Sequence, residues 1–143
     1  MIAGHIALTL AAMFAGAALY VTVAEQPARL HLDTPHALRQ WKPSYARAAV
    51  MQASLAVVSR VLGLIAAWQL GDWPFALGGV LMLANLPYTL IVIMPTNAAL
   101  KETPEAQAGA ETRALMENWG RMHGVRTALG MAATLSILWA LSA

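Results

Sequence analysis

Apolar residues run along this chain in four long stretches, roughly Ile2–Ala24, Ala46–Leu70, Trp73–Met94 and Val125–Leu141. Each is close to the ~20 residues that carry a helix across ~30 Å of hydrocarbon. Lipid offers no partner to a free backbone N–H or C=O, so stretches of this length are predicted to be helices. The segments between them are polar or marked by proline: Glu25 through Tyr45, Gly71-Asp72, and Pro95 through Gly124. The expected fold is all-α, an integral membrane four-helix antiparallel bundle forming a single transmembrane domain over residues 1–143. A short surface helix is expected around Glu105–Asn118, and no internal repeat is visible.

Composition narrows the class. Hydrophobic residues make up 59% of the chain and charged residues 11%, with a mean hydropathy of +0.57. Soluble domains carry about 25% charge, so disorder, a basic nucleic-acid module and a typical cytosolic enzyme are excluded. Cysteine is absent, which excludes disulfides, thiolate metal sites and a cysteine nucleophile. The first stretch has no Lys or Arg before it and outruns the 7–15 residues of a signal h-region, so a retained helix is expected.

The cations are placed unevenly. Arg29, Arg39, Lys42 and Arg47 lie in or beside the first loop, and Lys101, Arg113, Arg121 and Arg126 in or beside the third. The N-terminus, the second loop and the C-terminus have none, and only Arg60 lies elsewhere. By the positive-inside rule both termini should face the periplasm and both long loops the cytoplasm of a bacterial-type inner membrane.

Side chains capable of chemistry gather at the expected cytoplasmic end. There the four stretches deliver Glu25, Arg47, Asn97, and the series Trp119, His123, Arg126. On a helix, positions 119, 123 and 126 share one face. The milder readings are aromatic-belt anchoring for Trp41 and Trp119, headgroup contact for Arg29, Lys42 and Arg121, and a structural ion pair for Glu25. Arg60 stands apart, ten residues before Leu70 and so ~15 Å from the outer surface, with Asn85 at a similar depth. All seven acids lie outside the apolar stretches, and an intramembrane charge is expensive. Arg60 is expected within hydrogen-bond reach of Asn85 or of the carbonyl freed by Pro87, either as interhelical glue or as an anion contact.

Three groups of residues carry a family resemblance. They are Phe14-Ala-Gly16 with Tyr20 and Glu25-x-Pro27-Ala-Arg29; Asn85-Leu-Pro87-Tyr88-Thr89 leading to Pro95-Thr96-Asn97-x-x-Leu100; and Trp119-x-x-x-His123-x-x-Arg126. Together they resemble the anthrone oxygenase-like family of small four-helix membrane proteins over nearly the whole chain. The resemblance implies oxidation of an anthrone to an anthraquinone by dioxygen, without flavin or haem. That chemistry needs a base, oxyanion donors and a water-poor site. His123 would be the base, Arg126 and Asn97 the oxyanion donors, and Trp119 an aromatic wall, with Glu25 orienting His123 or an arginine. Arg47, Arg60 and Asn85 complete the expected substrate-binding set.

The leading expectation is a membrane oxidoreductase, a cofactor-independent oxygenase acting on an anthrone- or hydroquinone-like molecule from the bilayer. No resident cofactor is expected, with a haem or a metal ion as the alternative. The competing class is a non-catalytic haem-, quinone- or lipid-binding protein, or an accessory subunit of a membrane complex. Transport ranks last, since four short helices leave little room for alternating access. The expected partners are that hydrophobic small molecule and lipid, not nucleic acid. A homodimer is expected from the small residues Gly4, Ala12, Gly16, Gly78 and Gly79. The orientation is testable because the chain has no native cysteine. A single cysteine placed at Glu105 should resist an impermeant maleimide in intact cells, and one at the C-terminus should react; the reverse pattern would invert the topology.

Overall fold

The computed structural model describes residues 1–142. It holds four long helices: α1 (Ile2–Leu30), α2 (Thr34–Leu70), α3 (Trp73–Glu102) and α4 (Ala110–Ser142). They form a square in which α1 and α3 each pack against both α2 and α4. All four are long and apolar enough to cross a membrane, and the described residues contain no strand. The chain is an all-α multi-pass membrane bundle.

Its inside is less greasy than its outside. Large apolar side chains such as Val57, Leu86, Leu135 and Trp139 are exposed, while the core contains Ala7, Ala11, Ala18, Ala66 and Ala133. This inversion suits a solvent as apolar as the side chains themselves, where association depends on close packing and interhelical hydrogen bonds. Ser59 Oγ donates to the Ala7 carbonyl at 2.9 Å, and Ser136 Oγ to that of Pro74 at 2.8 Å. Glycines admit the few large core residues. A Cβ on Gly78 would stand 2.5 Å from Ile137 Cγ1, and one on Gly130 would stand 2.7 Å from Phe14 Cδ1.

The helices do not stop where the apolar stretches stop. α1 continues six residues past Ala24, α2 begins twelve before Ala46, and α3 runs eight past Met94. The surface helix expected at Glu105–Asn118 is instead a single 3-10 turn, Glu105–Gln107, followed by the first turns of α4. Local chemistry explains each extension. Asp33 caps α2 by accepting from the His36 N–H at 3.0 Å, with Pro35 in the first turn. Arg113 donates to the carbonyls of Leu30 and Leu32 at 3.1 and 2.7 Å, satisfying the end of α1.

The prolines expected as breaks are accommodated. α1 and α3 each contain a π turn, Val21–Glu25 and Thr89–Ile93, and in each a proline follows two residues beyond it, Pro27 and Pro95. A π turn inserts one residue into the i→i+4 ladder, and a proline has no N–H to leave unpaired beyond it. Each insertion rotates the rest of its helix by about 100°. At about 1.5 Å per residue, α2 is roughly 55 Å long, so the polar end of the bundle rises beyond the hydrocarbon. There a second core forms around Leu38, Trp41, Leu100, Met116 and Trp119.

The close approach of α3 to α4 makes a sharp prediction. Gly78→Ala should destabilise the detergent-solubilised protein by about 1–3 kcal/mol through overpacking against Ile137. Gly124→Ala, whose Cβ meets nothing within 4 Å, should be neutral or stabilising by up to ~1 kcal/mol. Equal melting temperatures for the two variants would contradict the packing.

Candidate functional site

At the polar end, α1, α2 and α4 enclose a small chamber of about 20 Å³. Val21, Glu25 and Arg29 line it from α1, Trp41, Ser44, Tyr45 and Gln52 from α2, and Trp119, His123 and Arg126 from α4. One water needs roughly 10–15 Å³, so the chamber holds one molecule the size of water or dioxygen. A larger cavity of about 190 Å³ adjoins it between α2 and α3. Tyr45, Ala49 and Arg126 line both and so form the wall between them. This second cavity is a slot with mostly apolar walls, and its exposed rim residues Val57 and Leu86 turn it toward lipid.

A buried ion pair closes one side of the chamber. Arg29 Nη2 lies 2.6 Å from Glu25 Oε1, and the guanidinium also donates to the side-chain carbonyls of Gln26 and Gln40. Ser44 and Gln40 donate to the same Glu25 oxygen. Gln26 in turn donates to the Met116 carbonyl at 2.8 Å, tying α1 to α4. Glu25 therefore orients Arg29, not His123. Arg29 is only 3% exposed, which overturns its reading as a headgroup contact.

Asn97 is also committed. Fully buried, it donates to Tyr45 Oη at 3.1 Å and accepts from Trp119 Nε1 at 2.9 Å. It lines neither cavity, so the expected oxyanion donor is a positioning residue. Trp41 stacks on Tyr45 (4.7 Å, 8°) and meets Trp119 edge-on (5.8 Å, 89°). Trp119 lies over His123 at 5.0 Å. Both tryptophans are buried and neither anchors an aromatic belt. Trp119 is a chamber wall, as its helical spacing to His123 implies.

His123 is held from behind. Thr22 Oγ1 donates to the Ala18 carbonyl at 3.0 Å, and lies 2.8 Å from Thr127 Oγ1 and 3.3 Å from His123 Nδ1. With the Thr22 hydrogen on the Ala18 carbonyl, Thr22 accepts from Nδ1–H, the tautomer that leaves the lone pair of the neutral ring on Nε2. Around the chamber, four buried polar atoms lack protein partners: Trp41 Nε1, Gln52 Nε2 and Oε1, and Arg126 Nε. Arg126 makes a cation–π contact with Phe14 at 5.5 Å and has no acidic partner among the described residues.

The remaining expectations divide. Arg47 is exposed and lines an outer groove between α1 and α2, so it does not join the chamber. Arg60 and Asn85 both line the slot. Neither expected bond is made, since Arg60 donates neither to Asn85 nor to the carbonyl freed by Pro87: Asn85 Nδ2 donates to the Leu81 carbonyl at 3.3 Å, and Asn85 Oδ1 is buried without a partner. The helix geometry that places the two residues at one depth leaves the space of the slot between them. Among the described residues, no three His, Asp or Glu side chains cluster as metal ligands. Sequence reasoning missed Gln52 and Tyr45; the signal for Gln52 was a lone carboxamide within an apolar stretch.

Fold and site together define an integral membrane bundle with a buried histidine beside unpartnered hydrogen-bond donors. The anthrone oxygenase family model matches residues 41–136, about two-thirds of the chain. The chain belongs to that family. No curated protein and no solved structure matches it.

The ion pair supplies a stability test. Arg29→Leu leaves the half-buried Glu25 carboxylate with its Ser44 and Gln40 donors but without its cation, and should cost about 1–3 kcal/mol. Adding Glu25→Gln should recover part of that loss in a thermal melt. A double variant no more stable than the single would show that the two charges do not depend on each other.

Proposed function

We propose that this protein is a membrane oxygenase that oxidises a hydrophobic anthrone- or hydroquinone-like aromatic with dioxygen. The observation that carries the reading is the set of unpartnered donors, Trp41 Nε1, Gln52 Nε2 and Arg126 Nε, around a chamber that His123 also lines. A buried donor without a partner costs about 1–3 kcal/mol. A water in the chamber can satisfy these donors at rest, and once it is displaced they can stabilise charge that develops during reaction.

The substrate enters the α2–α3 slot from the bilayer and places its reacting edge at Arg126. His123 Nε2 takes a proton from the activated methylene, directly or through one water in the chamber. The resulting anion is stabilised by Arg126 and the Trp41 and Gln52 donors. It transfers an electron to dioxygen, and recombination gives a peroxide anion that recovers the proton from His123. The hydroperoxide then loses water to leave a carbonyl. One anthrone methylene and one dioxygen become one ketone and one water; a hydroquinone, which has no methylene, would give two protons and two electrons to dioxygen and leave a quinone and hydrogen peroxide. Trp119 and the Glu25–Arg29 network keep bulk water out, which strengthens each of these contacts. The Lys and Arg distribution supports a topology with both termini in the periplasm and the chamber at the cytoplasmic side of the inner membrane.

Oxygen uptake by the protein in nanodiscs, with anthrones and hydroquinones supplied through the lipid, tests the reading. His123→Ala should lower turnover by ~10²–10⁴-fold, and Gln52→Leu or Arg126→Leu by on the order of 10²-fold, with melting temperature retained. Tight binding of the aromatics without any oxygen uptake by the wild type would instead establish a non-catalytic binding protein.

A further inference from the structure

The proposed chemistry uses Arg126 and leaves Arg60 without a role. Arg60 lines the α2–α3 slot, forms no ion pair and no side-chain hydrogen bond among the described residues, and lies ten residues before the end of α2. Asn85, 3% exposed, lines the same slot and has a buried Oδ1 with no donor. No acidic residue lines the slot; its only two charged side chains are Arg60 and Arg126. Its walls are otherwise built from residues such as Ala53, Val57, Met82 and Leu86. An apolar cavity with two arginines and no carboxylate is complementary to an anion with an apolar body.

Depth decides which anion. Arg60 is ~15 Å from the nearer end of α2 by helical rise, close to the middle of a ~30 Å hydrocarbon layer. A lipid phosphate stays at the interface and does not descend that far. Fifteen residues separate Tyr45 from Arg60 on α2, about 22 Å of helix. Long helical side chains lean toward the N-terminus, so Arg60 reaches back toward the chamber end. The slot thus suits an elongated molecule with its reacting ring at one end and its acid at the other.

We propose that the slot takes an amphiphilic aromatic carboxylate, with the carboxylate on Arg60, a neighbouring hydroxyl donating to Asn85 Oδ1, and the ring to be oxidised at Arg126. This rests on the slot being the substrate's place in the oxygenase reading, and it names the class of that substrate. Arg60 is a specificity residue, and its guanidinium offers two parallel N–H donors to a carboxylate where a lysine offers a point charge.

The test uses the full chain in phosphatidylcholine nanodiscs and two fluorescent probes, anthracene-2-carboxylate and its methyl ester. Neither has a methylene to oxidise, so binding is read apart from turnover. The wild type should bind the acid roughly tenfold or more tightly than the ester. Arg60→Gln should remove the difference by weakening the acid alone, and Arg60→Lys should restore part of it. Exchanging some phosphatidylcholine for phosphatidylglycerol should leave acid binding unchanged. Equal wild-type affinities for acid and ester would overturn the proposal, as would undiminished acid binding by Arg60→Gln. Competition by phosphatidylglycerol would reassign Arg60 to a lipid phosphate and overturn it equally. Acid-selective binding without oxygen uptake from any anthrone would sink the oxygenase reading and leave the carboxylate site standing. Oxygen uptake without acid selectivity would do the opposite.

Discussion

The arrangement of the chamber depends on the two ends of one carboxamide. Asn97 on α3 gives its N–H to Tyr45 on α2 and its oxygen to the indole of Trp119 on α4. Those bonds use the one N–H of Trp119 and hold the phenol oxygen of Tyr45, which keeps its own hydrogen, so both rings become fixed walls. Trp41, stacked on one and edge-on to the other, is thereby fixed with its own N–H unspent. Asn97 reaches both partners because of the π turn at Thr89–Ile93. The inserted residue turns the end of α3 by about 100°, and without it the carboxamide would face another side of the helix. A backbone irregularity eight residues earlier at its start thus sets which donors remain for chemistry.

Residue patterns alone make the four helices, their antiparallel order and the polar end legible, because hydrophobic length and charge placement are one-dimensional signals. The helix extensions are less visible. Pro27 and Pro95 read as breaks, since nothing in the apolar pattern announces the π turns that accommodate them. The Asp33-Thr-Pro35 capping signal was present in the sequence but lies outside the apolar stretches. For the site, the 119–123–126 spacing puts an indole, an imidazole and a guanidinium on one helix face, and all three line the chamber. Pairing is what sequence could not assign. Arg29 and Arg47 look alike in a loop rich in cations, yet one is buried on Glu25 and the other exposed. Asn97 and Gln52 are both lone carboxamides, and only three-dimensional contacts reveal that the first is spent and the second is not.

Two cavities of opposite character meet at one wall. The chamber is small, sized for a gas or a water, and the more polar of the two; the slot is larger, mostly apolar and turned to lipid. The proposed oxidation would benefit from this division, because a slot kept apolar limits the water that reaches the anion. Tyr45 and Arg126 stand at the boundary. With the phenol oxygen held by Asn97 and the guanidinium resting on Phe14, the boundary is tied to the helices and not to a mobile loop.

Three arginines of the bundle, Arg29 buried and Arg60 and Arg126 half-buried, differ in how they are satisfied. Arg29 has a carboxylate at 2.6 Å and donates to three further side chains, Gln26, Gln40 and Ser44. Such a cation is satisfied, and its contribution is to hold α1 against α2. Arg126 has a buried Nε with no partner, and Arg60 has no acceptor among the described residues although it lies deep in α2. In a low-dielectric bundle an unpaired cation is costly, and apolar replacements of similar volume would pack there without that cost. The fold neutralises Arg29 with its own residues but leaves Arg60 and Arg126 at either end of one apolar slot. Under the proposed function, the charge they lack would come from what the slot receives: an anion formed at Arg126 during reaction, and one carried by the substrate to Arg60.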